Sequence, residues 1–499
     1  MNNHAAPRLG AGVSLLMLVV GGTVSAAGVA MLVAALGGLL GDGEDIAALA
    51  IPGVIVTGVG LALLRLASGA QRIGEALRPE IGFAAVTLAW VSAALVGAIP
   101  LIAAGTFSSP LDAGFEAMSG FTTTGATLIN QIGGQPDAIL LWRSLMQWLG
   151  GIGIVVLVVA IAPVSGPAIQ RAYYAEVSGV AAERLTPRIV DTAKILAGIY
   201  ITITALAGIA YLVAGMAPFD ALNHTLTTVS TGGFSTKNDS IAAFDSLPIE
   251  LVAISFMALA GVNFAFYWRA VRGKSLMPQL AEVRAYAFIL LTAIVLVTAS
   301  VVLADDAGNI ADSLRGAAFS VTTVLTGTGY VTVDFDLWNS FARVGLLALM
   351  FVGACAGSTA GGIKVVRIIL LGKAGVQELD RQIRPSAVHV LRLGGKSFSE
   401  EVRRAILGFF LLYVFVYAIG ALALAATGLD PVTAISGASS TLNIVGPGLG
   451  EIGATDNFTA VPAGGRAISI VLMLTGRLEV FTVVALAAML FGLRRAARA

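Results

Sequence analysis

The chain has 499 residues, of which 57% are hydrophobic and only 12% charged, and its mean hydropathy is +0.89. Soluble domains carry about 25% charge, so the composition argues against a soluble enzyme. A net charge of +1 offers no basic field for nucleic acid, and a single Cys excludes an internal disulfide framework and a multi-Cys metal site. The three His lie far apart in sequence. The class that remains is an all-α polytopic membrane protein.

A membrane helix needs about 20 mostly apolar residues. Runs of that kind predict ten spans, at 11–40, 46–64, 82–104, 139–162, 193–215, 248–268, 283–303, 338–372, 401–426 and 464–492. The first contains Val24-Ser25-Ala26, which resembles a leader cleavage site. It continues apolar to Leu40, too far for a leader, which predicts an anchor that stays. With a cytoplasmic N-terminus, most of the 30 Lys and Arg fall inside, in 65–80, 163–194, 269–284, 364–404 and the tail at Leu493-Arg494-Arg495. The positive-inside rule therefore puts both termini in the cytoplasm.

Four apolar stretches, near 110–128, 218–234, 312–330 and 430–448, are too short to cross. Each opens on an Asp (Asp112, Asp220, Asp312, Asp430) and ends in Thr, Ser or Asn followed by Gly. Helix N-capping and attraction of cations to an outer mouth both explain these carboxylates. The candidate glycines Gly125, Gly232, Gly329 and Gly446 are spaced by 107, 97 and 117 residues. This predicts a fourfold repeat of span, half-helix, loop and span. The organisation is a two-helix region at 1–70 and pore repeats at 80–165, 190–270, 280–373 and 405–493, with a cytoplasmic segment at 374–404.

Non-helical backbone is tolerated at membrane depth only where protein buries it or it lines a watery cavity. Four such loops around one axis would present a ring of carbonyls, which replaces the hydration shell of a K⁺-sized ion. A half-helix entering from outside aims its negative C-terminal end at the loop, favouring a cation. The candidate filter residues are Thr123, Thr124 and Gly125; Ser230, Thr231 and Gly232; Gly327, Thr328 and Gly329; and Asn443, Ile444, Val445 and Gly446.

The eighth span breaks at 353–362, where four Gly and two hydroxyl residues cannot hold a firm helix. Either a small-residue packing face or an unwound loop beneath the filter explains it. Gly357, Ser358, Thr359, Ala360, Gly361, Gly362 and Lys364 belong to or border this segment. Cys355 reads as a small apolar filler. Arg477 and Glu479 sit in the last span, where a buried charge costs at least about 2.5 kcal/mol. Two residues apart, they do not face each other on a helix, so each needs another partner. Arg143 reads as snorkelling to the outer interface, and His224 as a packed, hydrogen-bonded residue.

At Gly120-Phe121-Thr122-Thr123-Thr124-Gly125-Ala126-Thr127, Ser230-Thr231-Gly232-Gly233-Phe234-Ser235-Thr236 and Gly446-Pro447-Gly448-Leu449-Gly450 the sequence resembles the Trk/Ktr/HKT superfamily of K⁺ uptake proteins. Trp148-Leu149-Gly150-Gly151-Ile152-Gly153, Leu185-Thr186-Pro187-Arg188-Ile189-Val190 and Gly357-Ser358-Thr359-Ala360-Gly361-Gly362-Ile363-Lys364 agree as well. The resemblance covers nearly the whole chain, and the extra N-terminal pair of spans points to the TrkH/TrkG branch. Gly327 departs from it, standing where Thr or Ser is more usual.

The resemblance implies a multi-pass protein of a bacterial inner membrane that takes up K⁺ (and Rb⁺) rather than Na⁺. In the superfamily, Ser at the first filter Gly accompanies Na⁺ conduction, and here that residue is Gly125. It also implies a movable gate loop at 353–362, an Arg at Arg477 near the permeation path, and a homodimer with one pore per protomer. A cytosolic ring of nucleotide-binding, TrkA-like subunits would dock at the segment ending near 404. No covalently bound cofactor and no nucleic-acid partner are implied.

Symport of K⁺ with H⁺ or Na⁺ is the alternative; Glu479 is the only acid deep in a span, which gives coupling little support. A broken-helix solute transporter prefers inverted repeats, whereas these run in one orientation. A membrane enzyme lacks HExxH, GxSxG or any metal set. Gly395-Lys396-Ser397 and Gly273-Lys274-Ser275 lack the earlier Gly of a phosphate loop.

Overall fold

The structure, a computed structural model, describes residues 11–39, 41, 43–68, 79–161, 189–306, 308–384, 390–480 and 483. The expectations on 185–188 and on the tail Leu493-Arg494-Arg495 lie outside the described residues. Helix α1 (Ala11–Gly38) runs unbroken through Val24-Ser25-Ala26 and lies against α2 (Ile46–Ser68). Small residues permit the close approach: Cβ atoms on Gly28 and Gly60 would lie 2.5 Å from the backbone nitrogens of Thr57 and Ser25.

A pattern of long helix, short helix, loop and return helix then occurs four times. The first set is α3 (Pro79–Ala103), α4 (Pro110–Thr122) and α5 (Asp137–Ile161). The second is α6 (Ile189–Val213), α7 (Pro218–Val229) and the pair α8 (Leu247–Ala260) and α9 (Phe264–Val271). The third is α10 (Met277–Ala304), α11 (Ile310–Thr326) and the pair α12 (Ser340–Met350) and α13 (Val365–Ile383). The fourth is α14 (Glu400–Ala425), α15 (Pro431–Asn443) and α16 (Ala463–Arg477).

Among the described residues six helices are long and apolar enough to cross a membrane, or seven if the bent pair α8–α9 is one span. The six are α1, α2, α3, α6, α10 and α14. The short helices α4, α7, α11 and α15 have 13, 12, 17 and 13 residues. At 1.5 Å per residue they fall short of a hydrocarbon core of about 30 Å. Their starts are written in the sequence: Pro opens α4, α7 and α15, and Ser109, Asn309 and Asp430 accept from first-turn N–H groups of α4, α11 and α15. Of the four Asp, Asp430 is thus the cap, while Asp112, Asp220 and Asp312 sit in the first turn.

Three expected spans are not straight helices. The one at 248–268 turns by 89° between α8 and α9. There the Asn263 side chain caps a new helix by accepting from the Ala265 N–H at 2.8 Å, while the Gly261 carbonyl accepts from the Cys355 N–H at 3.0 Å. The run at 338–372 stops at Met350 and resumes at Val365, continuing to Ile383 as an amphipathic helix with Val376, Leu379 and Ile383 exposed. In the last run α16 ends at Arg477 and a break follows, with Glu479 at φ +50°. A two-stranded antiparallel hairpin, β1 (Leu391–Leu393) and β2 (Lys396–Phe398), interrupts the all-α pattern. Gly395-Lys396-Ser397 is part of this hairpin and not a phosphate loop.

Candidate ion pathway

The four short helices end in one backbone motif. Within two residues of each helix end the chain takes positive φ, one residue follows, and then comes a glycine at positive φ. The residues at the first of these positions are Thr123 (φ +59°), Thr231 (+54°), Gly327 (+67°) and Ile444 (+61°). The glycines are Gly125 (+83°), Gly233 (+81°), Gly329 (+81°) and Gly446 (+95°). Gly327 therefore occupies a left-handed position, which glycine adopts at least cost.

This register sets Gly233, rather than Gly232, beside the other three glycines. Packing repeats the same relation. A Cβ on Gly125 would lie 2.3 Å from the Gly232 carbonyl oxygen, one on Gly233 1.9 Å from that of Thr328, one on Gly329 2.1 Å from that of Val445, and one on Gly446 2.8 Å from that of Thr124. Each glycine abuts the carbonyl of the middle residue in the next loop, and the fourth loop returns to the first. The loops close in cyclic order.

The side chains around them are buried, and several hydroxyls form hydrogen bonds within the loops. Thr122 and Thr124 share a hydrogen bond at 2.7 Å, and Thr326 and Thr328 share the equivalent one at 2.8 Å. The Ser440 hydroxyl donates to the Gly446 carbonyl, and the Tyr413 hydroxyl to the Asn443 side chain. Tyr330 of the third loop ties back to α7 through the Thr227 hydroxyl at 2.5 Å and the His224 carbonyl at 3.1 Å. His224 is packed as expected, with Nδ1 at 2.8 Å from the Asp220 carbonyl and Nε2 at 2.9 Å from the Ser235 hydroxyl.

Arg143 does not snorkel. It is 1% exposed and pairs with the buried Glu116 at 2.9 Å. It also donates to the Ser235 carbonyl at 3.3 Å, and its guanidinium lies 4.0 Å from the centroid of the Phe234 ring. Glu116 in turn accepts from the Leu128 N–H and the Thr127 hydroxyl, both at 2.9 Å. One turn along α5, Gln147 donates to the Gly232 carbonyl at 2.6 Å and accepts from the Phe234 N–H at 3.0 Å. Gln147 escaped the sequence reading. Its one signal is a lone amide among apolar residues, in Leu145-Met146-Gln147-Trp148.

Between α12 and α13 the chain leaves helical geometry and crosses against the ends of two short helices. Thr359 donates its hydroxyl to the Val229 carbonyl at 3.2 Å, and a Cβ on Gly361 would lie 2.1 Å from the Asn443 carbonyl. The segment is anchored at many points. Gly353 donates to the Ile363 carbonyl, Phe264 to that of Gly357, and Ala356 to the Glu282 carboxylate at 2.7 Å. The Ser358 hydroxyl donates to the Cys355 carbonyl, and Lys364 to that of Ala360. Gly357 and Gly362 take positive φ. Cys355 is a buried free thiol.

Arg477 and Glu479 find separate partners. Arg477 donates to the Thr359 carbonyl at 3.0 Å and to the Gly150 carbonyl at 2.8 Å. Glu479 pairs with Arg367 of α13 at 2.5 Å. Among the described residues no three His, Cys, Asp or Glu side chains gather as metal ligands.

Residues 63–492 match the family described as TrkH, cation transport protein. The chain belongs to that family. The Trk system potassium uptake protein TrkH of Halomonas elongata is 42% identical over 414 residues, covering 82% of this chain and 85% of that protein. The TrkH of Escherichia coli K12 is 39% identical over 414 residues, with the same coverage. The crystal structure of the potassium transporter TrkH from Vibrio parahaemolyticus superposes with a TM-score of 0.85 at 35% identity, covering 95% of this chain and 98% of that one. The chain is thus a multi-pass membrane protein of a cation-transporting family, which sets the enzymatic readings aside.

Proposed function

We propose that this TrkH-family protein takes up K⁺ across the cytoplasmic membrane through a K⁺-selective pore formed by its four repeats. The observation that carries the reading is the cyclic closure of four loops in one backbone register. The filter then comprises 123–125, 231–233, 327–329 and 444–446, with Ser230 and Asn443 as the last residues before the turn. Ion coordination falls to backbone carbonyls, and the short helices turn the negative ends of their dipoles toward the site. The inside-negative potential drives a cation inward with about 2.3 kcal/mol per 100 mV.

The segment 353–362, with Lys364 and Arg477, is the gate. Its contacts with Val229 and Asn443 put it against the inner ends of two pore helices, and Arg477 adds a fixed positive charge there. In this reading both termini are cytoplasmic, as the Lys and Arg distribution favours. The chain pairs as a homodimer, and a nucleotide-binding TrkA-like ring docks near the hairpin and α13. Growth of a bacterial strain stripped of its own K⁺ uptake systems tests the function. Expression of this chain restores growth on low-K⁺ medium, and failure of a correctly inserted chain, supplied with its regulatory subunit, overturns the reading.

A further inference from the structure

The second filter loop differs from the others in its middle residue. Loops one, three and four carry Thr124, Thr328 and Val445 there, all β-branched and stiff. The second carries Gly232, followed by Gly233, so its backbone is the most pliable of the four. The space a side chain at 232 would fill is taken by the Gln147 amide: a Cβ on Gly232 would lie 2.4 Å from both Cδ and Oε1 of Gln147. That amide brackets Gly233, donating to the carbonyl before it at 2.6 Å and accepting from the N–H after it at 3.0 Å. The Phe234 N–H can only donate, which fixes the orientation of the amide.

The return helix of the fourth repeat has no such group. Gly150 and Gly476 hold equivalent places, their Cβ atoms falling 1.9 Å from the Phe121 carbonyl and 2.0 Å from the Leu442 carbonyl. Three residues before Gly476 stands Met473, where α5 has Gln147. Of these two return helices, the one that carries an amide is the one facing the loop with Gly at its middle position.

We propose that Gln147 is a specificity-positioning residue that stands in for the missing side chain at 232 and sets how well the pore rejects Na⁺. By holding both peptide planes around Gly233, it keeps the Gly232 carbonyl from rotating inward to meet a smaller ion. Arg143, one turn away, braces the same loop through the Ser235 carbonyl. The inference rests on the filter reading above.

The test is Rb⁺ and Na⁺ flux into liposomes holding the purified full-length chain, comparing wild type with Gln147→Ala, Gln147→Met and the double variant Gln147→Ala/Gly232→Thr. The single variants lose both hydrogen bonds and should lower the Rb⁺ over Na⁺ ratio about tenfold, while Rb⁺ still passes. The double variant, with a β-branched residue back in the vacated space, should recover most of the ratio. Gln147→Met keeps the volume and reports even if truncation to Ala unfolds the chain. Arg143→Lys keeps the pairing charge but gives up the fork, and shifts the ratio in the same direction. Folded single variants with the wild-type ratio would overturn the role of Gln147 and leave the pore reading intact. A wild-type chain that passes Rb⁺ and Na⁺ equally would instead overturn the pore reading itself.

Discussion

Arg477 donates to the carbonyl of Thr359 at 3.0 Å, joining the end of α16 to the non-helical segment at 353–362. The same guanidinium reaches the Gly150 carbonyl at 2.8 Å, so three separate parts of the chain meet at one charge. Hydrogen bonds to a charged group contribute about 1.5–3 kcal/mol each. If the bond to Thr359 holds only in the closed state, its loss favours opening by about 10- to 100-fold. Arg477→Ala should therefore raise basal Rb⁺ flux in liposomes. A folded variant with unaltered flux removes Arg477 from the gate.

The four loop glycines at positive φ differ in clearance, which ranks their substitutions. Cβ atoms would lie 1.9 Å (Gly233), 2.1 Å (Gly329), 2.3 Å (Gly125) and 2.8 Å (Gly446) from the next loop's carbonyl. All four also carry positive φ, which costs a side chain about 1–3 kcal/mol. Gly→Ala at 233 should impair Rb⁺ flux and selectivity most and at 446 least. Gly125→Ser should lower K⁺ over Na⁺ selectivity. Flux ratios measured across the series check the order, and unchanged ratios in Gly125→Ser would take Gly125 out of the filter.

Two ion pairs at the short helices should behave differently. Glu116 and Arg143 are both buried, so Glu116→Ala leaves a guanidinium unpaired and should cost about 3–5 kcal/mol. Asp112 pairs with Arg466 at 2.7 Å, but both side chains are about one-fifth exposed, and Asp112→Ala should cost about 1 kcal/mol or less. Thermal unfolding in detergent compares them. Equal losses would contradict the burial argument.

Much of this was legible because each device has a local signature. An Asp near the start, and Thr, Ser or Asn followed by Gly at the end, marked all four short helices. The glycine run at 353–362 marked the break after α12. What stayed hidden depended on partners far along the chain. Arg143 looked like an interfacial Arg because Glu116 lies on another element, 27 residues away. At the tandem glycines the sequence reading took Gly232, whereas the φ values and the contact with Thr328 set Gly233 in register with the other three. The bend between α8 and α9 rests on Asn263 acting as a cap, and a lone Asn in an apolar run does not announce that.

Asp430, outside the membrane-spanning helices, caps α15 through the Val432 and Thr433 N–H groups at 2.8 and 3.2 Å. Hydrogen bonding from Thr433, and then the backbone N–H groups, holds its carboxyl below the usual carboxylate range. A depressed value in the folded state means that its contribution is present above the unfolded value of about 3.9 and is lost as pH falls further. Asp430→Ala should cost about 1 kcal/mol. In unfolding experiments that difference should shrink once the pH drops below about 4. A difference that does not change with pH would show that the carboxylate is not the cap's working form.

The central claim is a selective pore driven by membrane potential. It is tested most directly by Rb⁺ uptake into liposomes holding the purified chain with its regulatory subunit, under an imposed inside-negative potential. Na⁺ and pH gradients are varied independently. The account predicts Rb⁺ entry that follows the potential, is carried far better than Na⁺, and ignores both gradients. Uptake that requires a proton or sodium gradient would contradict the pore and establish symport.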